Sequence, residues 1–391
     1  MRKVAIIGLG QTPVREHWDL PIRHLGVRAL LAAMKEAGRD KLDGLFVGNM
    51  LSGALAEQEH LGALIADYAG CSGLEAVKIE AACASGAAAF RQGVMAVASG
   101  RMNTAAVVGV EKLTEFSGKF SNKALATAAD ADYEASIGLS FAALNALIMQ
   151  RYMHEFKIDR KAFSVFPQIA HKNACNNPNA LFHYEISREQ YLKSKAIAEP
   201  IHMLDSSPIC DGAAAVIIVP LEKEDRNNRK LVQVEACEIA TDTLDLANRK
   251  DPLWLSAAEQ SVKRAYAVSG CEPGDIDLFE LHDAFSIMSV LSLESSGFVG
   301  KGQWPRLAER GYFEIDGSLP VLTFGGLKAR GHPVGATGVY QIVEAALQLR
   351  KEAPVPIQVQ KARKAMTQNI GGSGATIVST ILSTNQKQHK A

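Results

Sequence analysis

Ala76-Val77-Lys78-Ile79-Glu80-Ala81-Ala82-Cys83-Ala84-Ser85-Gly86-Ala87 is the stretch on which the fold turns. Its first four residues read as a strand and its middle as a junction of small residues. The continuation reads as a helix with Ala87, Phe90, Val94 and Val97 on one stripe, stopped at Gly100. Thr104 to Val110 follows as a fully buried strand, which completes a strand–helix–strand unit. Working outward, Val4-Ala5-Ile6-Ile7 reads as a buried strand closed by a Gly8-Leu9-Gly10 turn, with a helix from Ile22 to Ala37. Leu42 to Val47 then reads as a strand and Glu57 to Ala69 as a helix. This alternation predicts an α/β layered architecture.

From Leu113 to about Pro208 the pattern changes to polar and aromatic helices interrupted by Pro167, Pro178 and the turn Asn176-Asn177-Pro178-Asn179, which predicts an inserted cap. Ala213 to Val219 resumes the buried-strand pattern, and the polar run Glu222 to Lys230 reads as a linker. Beyond it the first half is repeated. Asp275-Ile276-Asp277-Leu278-Phe279-Glu280-Leu281 matches Asp43-Gly44-Leu45-Phe46-Val47, and Met366 to Ile381 echoes Thr104 to Val110. Leu319 to Phe324, Gly331-His332-Pro333-Val334-Gly335-Ala336 and a helix to Arg350 echo the strand, cysteine junction and helix of the opening stretch. The expected division is a first half of residues 1–112 and 209–221, an inserted loop region 113–208, and a second half 222–391.

The 391 residues carry 42 Lys+Arg against 42 Asp+Glu, with 47% hydrophobic and 21% charged residues, the ordinary globular range. Balanced charge without a basic run argues against nucleic acid as a partner and for small-molecule work. No run approaches a membrane span or a signal-peptide apolar region, so a cytoplasmic protein without membrane attachment is expected. The six cysteines form no C-x-x-C pair, which argues against a disulfide framework and against a metal site in this chain.

Cys83 sits where a strand meets a helix, so the helix dipole is expected to favour its thiolate and suit it as a nucleophile; the plainer reading is a packed cysteine. His332, between Gly331 and Pro333, is held extended at a helix start, as suits a base or a capping ring. His282 ends a strand at the edge where α/β sheets gather ligands, while Asp283 beside it reads as a helix cap. Asn369-Ile370-Gly371-Gly372-Ser373-Gly374 follows a strand and exposes amides fit for an oxyanion.

Together the cysteine junction, His282-Asp283-Ala284-Phe285, Gly331-His332-Pro333-Val334-Gly335-Ala336-Thr337-Gly338 and the Asn369 glycine motif resemble the four active-site motifs of thiolases, in the family's order and over essentially the whole chain. The His-Asp-x-Phe form resembles the sterol-carrier-type and archaeal branch. The resemblance implies a five-layered αβαβα thiolase fold of two duplicated halves plus the inserted loop domain, a homodimer or tetramer, and coenzyme A as substrate. It implies acyl transfer to Cys83, activated by His332. His282 with His332 would hold the thioester oxygen, the amides of Cys83 and Gly371 would form a second oxyanion hole, and Ser207 would contact pantetheine.

The reaction implied is reversible cleavage or condensation of a β-ketoacyl-CoA, by default acetoacetyl-CoA. Because Phe163, Phe166, Phe182, Tyr184 and Tyr191 populate the loop region, a larger or aromatic substrate such as benzoylsuccinyl-CoA is the alternative. The chain departs from the family at one point. The second acid/base cysteine is replaced by Asn369 in one motif and Ala284 in the other, which keeps a non-catalytic scaffold in view. Relatives of this branch imply a small separately encoded partner, a zinc-ribbon/OB-fold (DUF35) subunit. A β-ketoacyl synthase shares the expected fold but carries a different pair of histidine motifs. A dinucleotide-binding enzyme would rest on Gly8-Leu9-Gly10, whose third glycine is missing where Pro13 stands.

Overall fold

The computed structural model describes residues 1–224 and 230–384. The first strands are β1 (Val4–Gln11), β2 (Gly44–Gly48), β3 (Glu75–Ile79) and β4 (Ala105–Glu111). A small hairpin follows, β5 (Ala196–Ala198) with β6 (Ile201–His202), and then β7 (Gly212–Pro220), β8 (Val232–Thr241), β9 (Leu278–Glu280), β10 (Lys364–Gly371) and β11 (Thr376–Thr384). Apart from the hairpin the strands lie in the order β3-β2-β4-β7-β1-β8-β11-β10-β9. Read outward from the centre, β1-β7-β4-β2-β3 on one side is answered by β8-β11-β10-β9 on the other, and a parallel bridge from Phe279 to Val321 stands where β3 stands in the first run. The two runs join where Val4, Ala5 and Ile6 pair with Val234, Gln233 and Val232. This is a mixed α/β architecture of two similar runs of strands, as the motifs imply.

Two helices, Ser85–Ala98 with one face exposed and the buried Thr337–Arg350, carry the centre of the molecule. Phe90 and Val97 of the first and Val339 and Val343 of the second share one core with Ile218 of β7 and Val378 of β11. Each such side chain removed from water stabilises the fold by about 1.5–3 kcal/mol. The helices touch backbone to backbone: a Cβ on Gly86 would stand 2.6 Å from the Gly335 carbonyl, and one on Gly338 would collide with the Ala87 amide and with Asn369 Oδ1.

Between β4 and β7 the chain forms the helices Phe141–Phe156 and Val165–Ala174 and packs them against the second half. Phe163 and Phe166 lie 5.1 and 5.3 Å from the Trp304 ring, all three fully buried. Tyr191 is buried with its hydroxyl donating to Asp205 at 2.6 Å, Phe182 stacks on His171, and Tyr184 is exposed. Three of the five loop aromatics are therefore committed to packing.

Several local expectations are corrected. Gly8-Leu9-Gly10 is no turn: β1 runs through it to Gln11, and the two glycines let the helix Ile22–Ala37 press its Ala29 and Ala33 carbonyls onto the strand. The helix expected from Glu57 begins at Leu61, because Glu57 and His60 take left-handed backbone at φ 48° and 62°. The strand expected at Leu42 begins at Gly44. Of the run expected as a linker, residues 225–229 lie outside the described residues.

Candidate active site

The turn that presents Cys83 is built without glycine at its tightest point. Ala82 adopts φ +51°, a left-handed conformation that costs an alanine about 1–2 kcal/mol. Ser85 locks it: its hydroxyl donates to the Ala82 carbonyl at 2.6 Å and accepts from the Ala81 amide at 2.9 Å. The helix starts at Ser85, two residues past the cysteine. The half-buried Cys83 thiol is pushed up to about 12, first by burial and then by the Glu111 carboxylate; the N–H groups of Gly372 and of Cys83 itself draw it back only in part. The expectation that the helix dipole favours a thiolate is thus reversed, because loss of solvation and a nearby carboxylate outweigh a dipole effect that fades within one turn.

Glu111, at the end of β4, joins the two halves. Its buried carboxylate accepts from the amides of Met50, Leu51 and Gly335 at 2.9, 3.2 and 3.0 Å and from Asn49 Nδ2 at 2.8 Å. Burial pushes it up to about 7, against those four donors.

His332 stands before a single turn, Val334–Ala336, and the helix proper begins at Thr337. Its Nδ1 lies 2.7 Å from Thr337 Oγ1, whose hydroxyl donates to the Pro333 carbonyl at 3.3 Å. That leaves an oxygen lone pair for Nδ1–H, so Nε2 is the free acceptor. The His332 amide donates to Cys210 Sγ at 3.1 Å, which holds the backbone of the motif.

His282 is buried after β9, with its ring edge-on to that of His332 at 5.0 Å. Its Nδ1 faces Asn369 Nδ2 at 3.1 Å. Burial, Lys328 and Arg330 bring His282 down to about 3, and burial with His282 and Arg330 lowers His332 well below the usual histidine range, so both rings are neutral. The two cations come from the buried turn Gly326–Arg330. Asp283 caps this turn, accepting from the Leu327 amide at 2.6 Å, and Lys328 donates to the Asp283 carbonyl; the helix Ser286–Ser295, for which Asp283 had read as a cap, has none. Burial lowers Lys328, with Asp283 and Asp205 opposing.

Of the other expected residues, Ser207 donates its amide to the Ala284 carbonyl at 2.9 Å and so lies against the His282 motif. Gly371 ends β10 opposite Thr376, and the amide that reaches the Cys83 sulfur is that of its neighbour Gly372. Among the described residues no group of three or more His, Cys, Asp or Glu could hold a metal ion, and no helix is long and apolar enough to cross a membrane.

Comparison with known proteins accounts for this arrangement. Residues 4–222 match the family model "Thiolase, N-terminal domain" and residues 239–384 match "Thiolase C-terminal domain-like". The chain belongs to the thiolase family. It is 43% identical to the acetyl-CoA acetyltransferase of Methanothermobacter thermautotrophicus, over 98% of this chain and 100% of that one. It is 31% identical to the benzoylsuccinyl-CoA thiolase subunit BbsB of Thauera aromatica, over 95% of each. A solved structure described as "Ltp2-ChsH2(DUF35) aldolase" shares the fold, with a TM-score of 0.86 at 24% identity over 98% of each chain.

Within this thiolase the four motifs meet, and Glu111, Lys328, Arg330 and Cys210, which lie outside them, bear on the motif residues through contacts between distant segments. Thr337 and Gly372 lie inside the quoted His332 and Asn369 motifs, and that is the local signal they left.

Proposed function

We propose that the chain is a coenzyme A-dependent thiolase acting on a short β-ketoacyl-CoA, with acetoacetyl-CoA and acetyl-CoA as the substrate pair. In cleavage the Cys83 sulfur adds to the β-carbonyl, the bond between the α- and β-carbons breaks, and the electron pair goes to the α-carbon of an acetyl-CoA enolate, which takes up a proton. Coenzyme A thiolate then attacks acyl-Cys83, releasing acyl-CoA and the cysteine thiolate. His332 Nε2 takes the Cys83 proton, His282 and His332 hold the thioester oxygen, the amides of Cys83 and Gly371 receive the acyl oxyanion with that of Gly372 beside them, and Ser207 contacts pantetheine.

The observation that carries this reading is the pair of neutral, buried imidazoles lying edge-to-face at 5.0 Å, in motifs whose Gly335 and Gly338 abut the start of the helix that follows Cys83. Similarity to an acetyl-CoA acetyltransferase over the whole chain supports the acetyl substrates. A large aromatic acyl group finds less support, since Phe163, Phe166 and Tyr191 are buried in packing. The division into 1–112 with 209–221, 113–208 and 222–391, a homodimer or tetramer, a cytoplasmic setting and a small DUF35-type partner belong to the same proposal. The partner draws support from the described composition of the structure that shares the fold.

The test is intact-protein mass after brief exposure to acetyl-CoA and acetoacetyl-CoA, on native protein with any polypeptide that co-purifies. An acetyl adduct is expected on the wild type and not on Cys83→Ala. Absence of any adduct would favour the scaffold reading, and native protein that never retains a second polypeptide would count against the partner.

A further inference from the structure

The position that holds a second cysteine in most thiolases holds Asn369 here, and its side chain is placed with some care. Asn369 is 1% exposed, on β10, with Nδ2 on His282 Nδ1 at 3.1 Å. Its Oδ1 is buried without a partner and lies where a Cβ on Gly338 would stand, at the first turn of the helix Thr337–Arg350. The positive end of a helix dipole favours a carbonyl oxygen there and disfavours an NH₂ group, which orients the amide with its nitrogen on the imidazole.

We infer that Asn369 is a positioning residue that holds His282 in the tautomer with Nδ1 as acceptor and Nε2–H as donor. An amide nitrogen only donates, so the imidazole nitrogen it faces must carry a lone pair and the proton sits on the other. His332 is held in the opposite tautomer by Thr337. The two rings therefore divide the work: one accepts a proton at Nε2, the other donates to an oxygen at Nε2. Asn369 cannot take the place of the missing cysteine as an acid or base; it makes His282 a fixed donor for the thioester oxygen of the enolate. This rests on the thiolase reading for its kinetic consequence, though not for the tautomer itself.

The charged and titratable groups bearing on His282 are Lys328 and Arg330 of the turn Gly326–Arg330 and the ring of His332. Burial and the two cations disfavour the imidazolium, and the His332 ring beside it is itself neutral, so the neutral tautomer of His282 is what reaches substrate. In Asn369→Asp the carboxylate accepts Nδ1–H and reverses the tautomer. It also raises the His282 pKa, so that protonation at low pH restores Nε2–H.

The experiment has two arms. Nitrogen-15 NMR of histidine-labelled wild type, with His282 assigned from His282→Asn, is expected to show an unprotonated Nδ1 and a protonated Nε2; a protonated Nδ1 overturns the inference without any change to Asn369. Asn369→Asp is expected to lose about 10²–10³-fold in kcat for condensation with KM little changed, while Cys83 is still acylated. The ratio of variant to wild-type rate is expected to rise as pH falls. A variant with wild-type condensation, or one whose relative rate does not change with pH, overturns it. Failure of the wild type to acylate at Cys83 would overturn the thiolase reading instead, and the NMR arm would still decide the tautomer.

Discussion

A thiol pushed up to about 12 is a poor nucleophile unless its proton has somewhere to go. In the proposed mechanism the acceptor of that proton is the Nε2 of His332, a ring that burial lowers well below the usual histidine range. Alkylation of Cys83 by iodoacetamide in the wild type is therefore expected to stay nearly level with pH across neutrality. In His332→Ala the thiolate must form unaided, and the rate is expected to climb about tenfold per pH unit, as the thiolate fraction does below its pKa. Equal rates and slopes in the two proteins would show that His332 does not activate the cysteine. The Ala82 backbone belongs to this scale too. Ala82, the residue before Cys83, holds left-handed backbone, and Ser85 fixes that strained turn by two hydrogen bonds.

The helices Ser85–Ala98 and Thr337–Arg350 set how close the two halves of the site come. Gly338→Ala is expected to destabilise the fold by about 1–3 kcal/mol, because the methyl group meets the Ala87 amide and Cβ and the buried side-chain Oδ1 of Asn369. Chemical denaturation reads this as a lower midpoint at unchanged slope; an unshifted midpoint would mean that the helices can part at little cost. What was legible in the chain follows from the range of each interaction. Cys83, His282 and His332 stood out because each sits at a strand–helix junction whose small residues and prolines are its sequence neighbours. Glu111 reaching Gly335, Asn369 reaching His282, and the cations of the turn Gly326–Arg330 are contacts between distant segments, with no periodicity to reveal them. Gly8 and Gly10 misled for a related reason: a glycine that admits a packed helix looks in sequence like one that makes a turn. The dipole argument at Cys83 failed because burial is a property of the assembled layers.

At the scale of the whole molecule, burying the histidines where the halves meet ties stability to pH. His282 is down to about 3 in the folded state, and His332, His171 and His17 are also lowered, burial being the first cause in each. A lowered histidine binds fewer protons folded than unfolded. Its contribution is therefore fully present above the unfolded value near 6.5 and is lost as pH falls from there toward the folded value. The buried carboxyls oppose this: Glu111 and Glu280 are raised to about 7 and Glu344 to about 8, so the stability they bring is present below their unfolded values and lost as pH rises through the folded ones. Total stability mixes both signs, but the difference between two proteins isolates one group. Replacing His282 with Asn removes one proton-binding site of the unfolded chain, so between about pH 5 and pH 6 the slope of unfolding free energy against pH should become less positive by about 1.2 kcal/mol per unit. Urea unfolding of wild type and His282→Asn at the two ends of that window measures it. Parallel pH dependences would mean that His282 protonates in the folded protein as readily as in the unfolded chain, and that the site at the junction of the halves admits water.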